Sequence, residues 1–145
     1  MTSQKSENKF SADVSGGARP LYNADTDTMD LVERGDESRY YWQGFSTQLV
    51  KSDVDPQLKS INLSVFVNKG VEAGTYPMIA DGKVRAVYSL VREGNQAEAY
   101  VSVSGQMTLT VVPSTGDKRL EGTVLFEGKG NAKSVNITNG VFSFN

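Results

Sequence analysis

The sequence contains no cysteine and no histidine. Without cysteine there is no disulfide framework, no thiolate metal site and no thiol nucleophile. Without histidine, the Ser-His-Asp triad, imidazole metal ligation and the usual switch near neutral pH all fall away. Proline is scarce, four in 145 residues, and tryptophan occurs once. No apolar run approaches the roughly 18 residues that a membrane-spanning helix requires. Neither sign of charge dominates: 15 Lys and Arg stand against 17 Asp and Glu, a formal net charge of -2. That balance excludes a strongly basic nucleic-acid binder and a polyanionic tail as defaults. The expectation is therefore no nucleic-acid partner and no transmembrane segment.

What remains is alternation. Ile61, Leu63, Val65 and Val67 are interleaved with Asn62, Ser64 and Phe66, the period of two expected of a strand with one buried face. The same period runs through Val84–Leu90, Ala99–Val103, Met107–Val111 and Leu120–Phe126, and returns at Val135–Ile137 and Phe142–Phe144. Near the start it marks Phe10–Val14, Met29–Leu31 and Tyr40–Trp42. Glycine-containing turn signals separate these runs, among them Gly16-Gly17, Asn68-Lys69-Gly70, Glu93-Gly94-Asn95, Ser104-Gly105, Gly128-Lys129-Gly130 and Asn139-Gly140. The strongest helix candidate, Ser46 to Lys59, is interrupted by Pro56. The pattern predicts an all-β antiparallel β-sandwich of about nine strands with little or no helix. At 145 residues the chain suits one domain. Residues 1–8 are polar and are expected to form a flexible segment ahead of a single domain over 9–145. No secretory signal is legible in that segment. This fits a cytoplasmic chain, or a mature exported segment with a new Met1, and leaves the compartment open.

The order of motifs supplies a resemblance. Phe10-Ser11-Ala12-Asp13-Val14-Ser15-Gly16 precedes the strand Ile61-Asn62-Leu63-Ser64-Val65, and Gly74-Thr75-Tyr76-Pro77 follows. Then come Gly105-Gln106-Met107-Thr108-Leu109-Thr110, Leu120-Glu121-Gly122-Thr123-Val124-Leu125-Phe126 and Val135-Asn136-Ile137-Thr138-Asn139-Gly140-Val141-Phe142. This order resembles the small bacterial β-sandwich proteins, often lipoproteins, grouped as a domain of unknown function of the DUF6252 type. The resemblance implies an all-β fold and a bacterial cell-envelope setting. It supplies no catalytic residue, and the chain as written lacks a lipidated cysteine.

Chemistry is concentrated in a few places. Asp25, Asp27 and Asp30 form the densest oxygen-ligand stretch. Read as an EF-hand loop from Asn23, it has Thr28 where glycine is needed and Arg34 where the closing glutamate belongs, so no metal and no cofactor are expected. Tyr41 and Trp42 lie in an aromatic cluster, Tyr40-Tyr41-Trp42-Gln43-Gly44-Phe45. Alternation sends Tyr40 and Trp42 to one face and Tyr41 to the other. One set belongs to the core, and the other offers a stacking platform for a glycan or partner. Lys83, Arg85 and Arg92, with Arg19 and Arg39 elsewhere, read as a mixed solvated face diluted by Asp81 and Glu93. Glu33, Glu37, Glu72, Glu93, Glu98, Glu121 and Glu127 supply carboxylates, but no spacing pairs any two for hydrolysis. The tail from Val135 to Asn145 carries no charged side chain, so it must be paired, either within its own sheet or against a second chain. The leading reading is a non-enzymatic binding or assembly module of the cell envelope, meeting a protein partner or a second copy of itself. The alternatives are a carbohydrate-binding module using exposed aromatics near Trp42, and a small carboxylate-based hydrolase.

Overall fold

The computed structural model describes residues 7–35, 40–50, 56–79 and 81–145. The all-β expectation holds. Ten strands, β1 (Lys9–Ser15), β2 (Leu21–Asn23), β3 (Asp30–Gly35), β4 (Tyr40–Leu49), β5 (Leu58–Asn68), β6 (Gly74–Pro77), β7 (Val84–Arg92), β8 (Gln96–Val111), β9 (Leu120–Gly130) and β10 (Lys133–Phe144), all pair antiparallel. The helical elements among the described residues are the short 3₁₀ segments Thr26–Thr28 and Glu93–Asn95, and in the second Gly94 has a non-helical φ of 79°. The strands are not divided between two separately hydrogen-bonded layers. They form one sheet in the order β2-β1-β10-β9-β8-β7-β5-β4-β3, with β6 pairing β8 off that path, curled into a half-barrel.

The curl follows from connectivity. β2 and β3 stand at opposite ends of the strand order, yet only residues 24–29 separate them in the chain. Nine strands laid flat would place those ends about 38 Å apart, eight gaps of ~4.8 Å. The connection reaches at most about 25 Å when fully extended. The sheet must therefore roll until its ends meet. Where they meet, hydrogen bonds close the seam. The Asp25 amide donates to Thr47 O (2.8 Å), the Leu49 amide to Asp25 Oδ2 (2.7 Å), and the Thr47 amide to Thr28 Oγ1 (3.2 Å). Inside, the Ser46 hydroxyl donates to Leu63 O (2.7 Å) and is itself 2.7 Å from the Tyr22 hydroxyl.

The concave face is the core. Ile61, Leu63, Val65 and Val67 of β5 and Val84, Ala86, Tyr88 and Leu90 of β7 are all buried, as the alternation predicts. Phe10, Phe142, Phe144 and Tyr22 form an aromatic cluster with centroid distances of 5.4–6.0 Å. Phe144 reaches across the interior to β4, where a Cβ on Gly44 would lie 2.6 Å from its ring. Only a residue without a side chain fits there.

Two turn signals are not turns: Ser104-Gly105 sits inside β8 and Asn139-Gly140 inside β10, whereas Gly128–Gly130 ends β9 and leads directly into the two-residue hairpin turn at Asn131 and Ala132. In β8 and β10 the register shifts, between Ser102 and Ser104 and between Ile137 and Gly140. These are β-bulges, and each adds one residue and reverses which parity faces inward. In β8 the buried set passes from Tyr100 and Ser102 to Met107 and Leu109, leaving Val101 and Val103 on the outer face. Gly105 has φ 126°, and a Cβ there would lie 2.1 Å from Leu125 O on β9. The glycine lets β9 pass without breaking the sheet. β10 lies between β1 and β9 and is paired on both sides. The uncharged tail is thus satisfied within its own sheet, by a bulged continuous strand rather than a hairpin. The Ser46–Lys59 helix candidate resolves into the end of β4 and the start of β5, with 51–55 outside the described residues. Residues 1–6 of the expected flexible segment also lie outside them. Asn8, its last residue, is held: its Oδ1 accepts from the Asn145 amide at 2.8 Å.

Two outcomes follow. Gly105→Ala must shift either β8 or β9, and is expected to cost about 1–3 kcal/mol through strain at a positive φ plus the backbone clash, read from the urea midpoint at constant m. Burial pushes the phenols of Tyr22 and Tyr88 above their ordinary value. Each keeps its proton in the fold while the unfolded chain releases it above about pH 10. Their contribution is complete below that pH and is lost as pH rises further. Tm measured from pH 8 to 12 should fall above pH 10, and less steeply in Tyr22→Phe.

Candidate functional site

One end of the half-barrel carries a trough with two lobes. The chain reaches this end at the β5–β6 turn, where Lys69 and Gly70 line both lobes. The larger lobe, about 580 Å³, is bounded by Trp42, Glu33 and the loop Pro113–Lys118. The smaller, about 350 Å³, is bounded by Val71, Glu72, Tyr76 and Lys83. Both lobes are open to solvent rather than enclosed.

Each lobe holds one aromatic ring on a strand. Trp42 points inward from β4, packed on the core but only partly buried. Tyr76 lies on β6 and packs against the same core, with its hydroxyl donating to Glu72 O at 2.7 Å. The Gly74-Thr75-Tyr76-Pro77 motif is thus a short edge strand whose tyrosine is fixed at both ends of its ring. Over each ring sits an ammonium: Lys69 Nζ is 5.4 Å from the Trp42 centroid and Lys83 Nζ 5.9 Å from that of Tyr76. Lys69 also pairs with Glu33 at 2.5 Å. Beyond the loop, Arg119 holds Asp117 with two hydrogen bonds of 2.8 and 2.9 Å. Those bonds, with the Asp117 charge, hold the Arg119 guanidinium above its ordinary value. Among the described residues, neither Lys83 nor Lys118 forms an ion pair.

The residues singled out from the sequence fare differently. Tyr41 and Trp42 lie on opposite faces of β4, so they do not form one platform. Tyr41 is on the convex face, where Arg85 sits 5.3 Å from its ring and 5.7 Å from that of Phe66. Arg85 also donates to Asn68 Oδ1 at 3.0 Å. Asp25 accepts the Leu49 amide at the seam, Asp30 accepts the Leu31 amide at 2.9 Å, and Asp27 is exposed on the intervening 3₁₀ turn. No three acidic side chains converge on a common point among the described residues. The basic set is dispersed as well: Lys83 enters the trough, Arg85 stacks on the outer face, Arg92 pairs with Glu98 at 3.4 Å, and Arg39 lies outside the described residues. Of the glutamates, Glu33 is matched by Lys69, Glu93 by Lys59 at 2.9 Å and Glu121 by Arg119 at 3.8 Å, while Glu37 lies outside the described residues.

Sequence reasoning missed Lys69, Lys118 and Glu33 as neighbours of Trp42, and Lys83 as the neighbour of Tyr76. The only signal available was that Asn68-Lys69-Gly70 and Gly116-Asp117 are turns, and turns collect at the ends of a barrel.

The single tryptophan reports on this arrangement. Iodide is expected to quench Trp42 emission more than caesium does, because an ammonium lies over the ring. Lys69→Gln should reduce the ratio of the two quenching constants toward one. An unchanged ratio places the ammonium elsewhere in solution. No family model, curated protein or solved structure matches this chain at a significant level.

Proposed function

We propose that this protein is a non-catalytic binding module and that its ligand sits in the two-lobed trough, with carbohydrate as the ligand class. The observation that carries the reading is the pairing of Trp42 and Tyr76 in adjoining lobes that share Lys69 and Gly70. Both rings are anchored on strands and packed against the core, so little ordering is needed when a ligand arrives. Hydroxyls of Ser114 and Thr115 lie on the same lining and suit a polyhydroxylated partner.

The carboxylates favour binding over hydrolysis. A general acid at neutral pH requires burial that raises its pKa. Glu33 and Asp117 are instead solvent-accessible, at side-chain exposures of 59% and 38%, and each is paired with a cation. Self-assembly through the tail loses its premise, because β10 has a partner on each side. The family resemblance adds a bacterial cell-envelope setting to this reading.

A glycan array followed by titration on Trp42 emission tests the proposal. A binding glycan should shift the emission. Trp42→Ala and Tyr76→Ala should each weaken binding by about tenfold or more, as central aromatic contacts do. Melting curves of both variants separate loss of the ring from loss of the fold. Binding that survives both substitutions in folded protein removes the trough from consideration.

A further inference from the structure

The outer face of the sheet is unevenly charged. Alternation turns every second residue of β4, β5, β7 and β8 outward. Register sets those strands side by side: Phe45 lies opposite Ser64, Ser64 opposite Val87, and Val87 opposite Val101. Across the outward positions of 41–49, 62–68, 85–91 and 97–103, the single charged side chain is Arg85. It is already engaged, over the Tyr41 and Phe66 rings and bonded to Asn68. Phe45, Val101 and Val103 stand exposed on the same face. The outward side of β1 and β9, in the same sheet, differs: it carries Lys9, Asp13, Glu121, Glu127 and Lys129. A face cleared of Lys and Glu, but supplied with aromatics and an arginine, has the composition of a protein interface core rather than of a solvated wall.

We infer that this face is where two copies of the chain meet, sheet against sheet. An isologous contact sets a patch against itself, so a charged wall would meet its own charges there. This face brings one charge per copy, and Arg85 is held on rings of its own chain. β5 and β7 have a partner strand on each side, so the contact is made by side chains, as between stacked sheets about 10 Å apart. Four strands ~4.8 Å apart and about 27 Å long offer roughly 500 Å² per copy. Two copies therefore bury about 1,000 Å², the size at which specific interfaces begin. Such a contact is expected to leave monomer and dimer both populated at about 1–100 μM. The face is the opposite side of β4 from Trp42, so the dimer and the trough reading stand or fall separately.

Sedimentation velocity on the full chain, from about 1 to 500 μM, tests the inference. The weight-average mass should rise from one chain toward two, and the rise should persist at high salt because few charges take part. Val101→Lys and Phe45→Lys each put a new charge into the contact on both copies, and each should weaken dimerisation by about tenfold or more. Leu125→Lys, an exposed position on β9 outside the face, should leave dimerisation unaltered. Circular dichroism and melting of dilute samples show that each variant is folded. Val101→Thr, close to valine in shape, should weaken dimerisation about threefold and keeps the test open if a lysine unfolds the chain. A chain that stays monomeric across the whole range overturns the inference. So does a dimer that survives these substitutions in folded protein, or one weakened as much by Leu125→Lys.

Discussion

The short connection between β2 and β3 governs the rest of the molecule. Those strands are the two ends of the sheet, and residues 24–29 must join them. A flat sheet of this width is out of reach for six residues, so the sheet rolls and acquires an inside. Once it has an inside, the alternating residues separate into a buried face and a solvated one. Phe10, Phe142, Phe144 and Tyr22 fill the centre, and Gly44 makes room for Phe144 on the facing wall. The same closure brings Asp25 and Thr28 against Thr47 and Leu49, where they supply hydrogen bonds that neighbouring strands would provide elsewhere.

Rolling also creates ends, and one of them is the candidate site. A strand that reaches the rim cannot bury its last inward side chain completely. Trp42 near the start of β4 and Tyr76 on the short β6 are therefore packed on one side and open on the other. Turns gather at the same rim, and turns carry charge because they are solvated. Lys69 and Lys118 arrive by that route, and Glu33 faces Lys69 from the edge strand β3. The juxtaposition of rings with ammoniums thus follows from the position of a barrel rim.

Bulges explain how long strands obey this geometry. β8 and β10 are long, 16 and 12 residues, and in each an extra residue reverses the inward parity midway. Without that reversal, Val101 and Val103 would have been inside and Tyr100 and Ser102 outside. Gly105 permits the reversal, because only a residue without Cβ tolerates both its φ and the approach of Leu125 O. The dipeptide that locally signals a turn serves instead to bend a strand, since its left-handed conformation suits either use.

The period of two, carried by runs such as Ile61–Val67 and Val84–Leu90, determined by itself that the chain is all-β and which faces of β5 and β7 are buried. It did so because the pleat is a local property of the backbone, readable from a few consecutive residues. The same local rule placed Tyr41 and Trp42 on opposite faces. Turn chemistry is local as well, but glycine and asparagine at positive φ serve hairpins and bulges equally, so Ser104-Gly105 and Asn139-Gly140 were decided only when β9 paired alongside. Asp25 stands in an acidic stretch that the sequence could only test, and reject, as a cation loop; its actual partner, the Leu49 amide, is brought to it by closure of the sheet. The meeting of Trp42 with Lys69, and of Tyr76 with Lys83, was likewise a tertiary outcome. It depends on where each strand ends along the rim, and that is set by pairing between segments far apart in the chain.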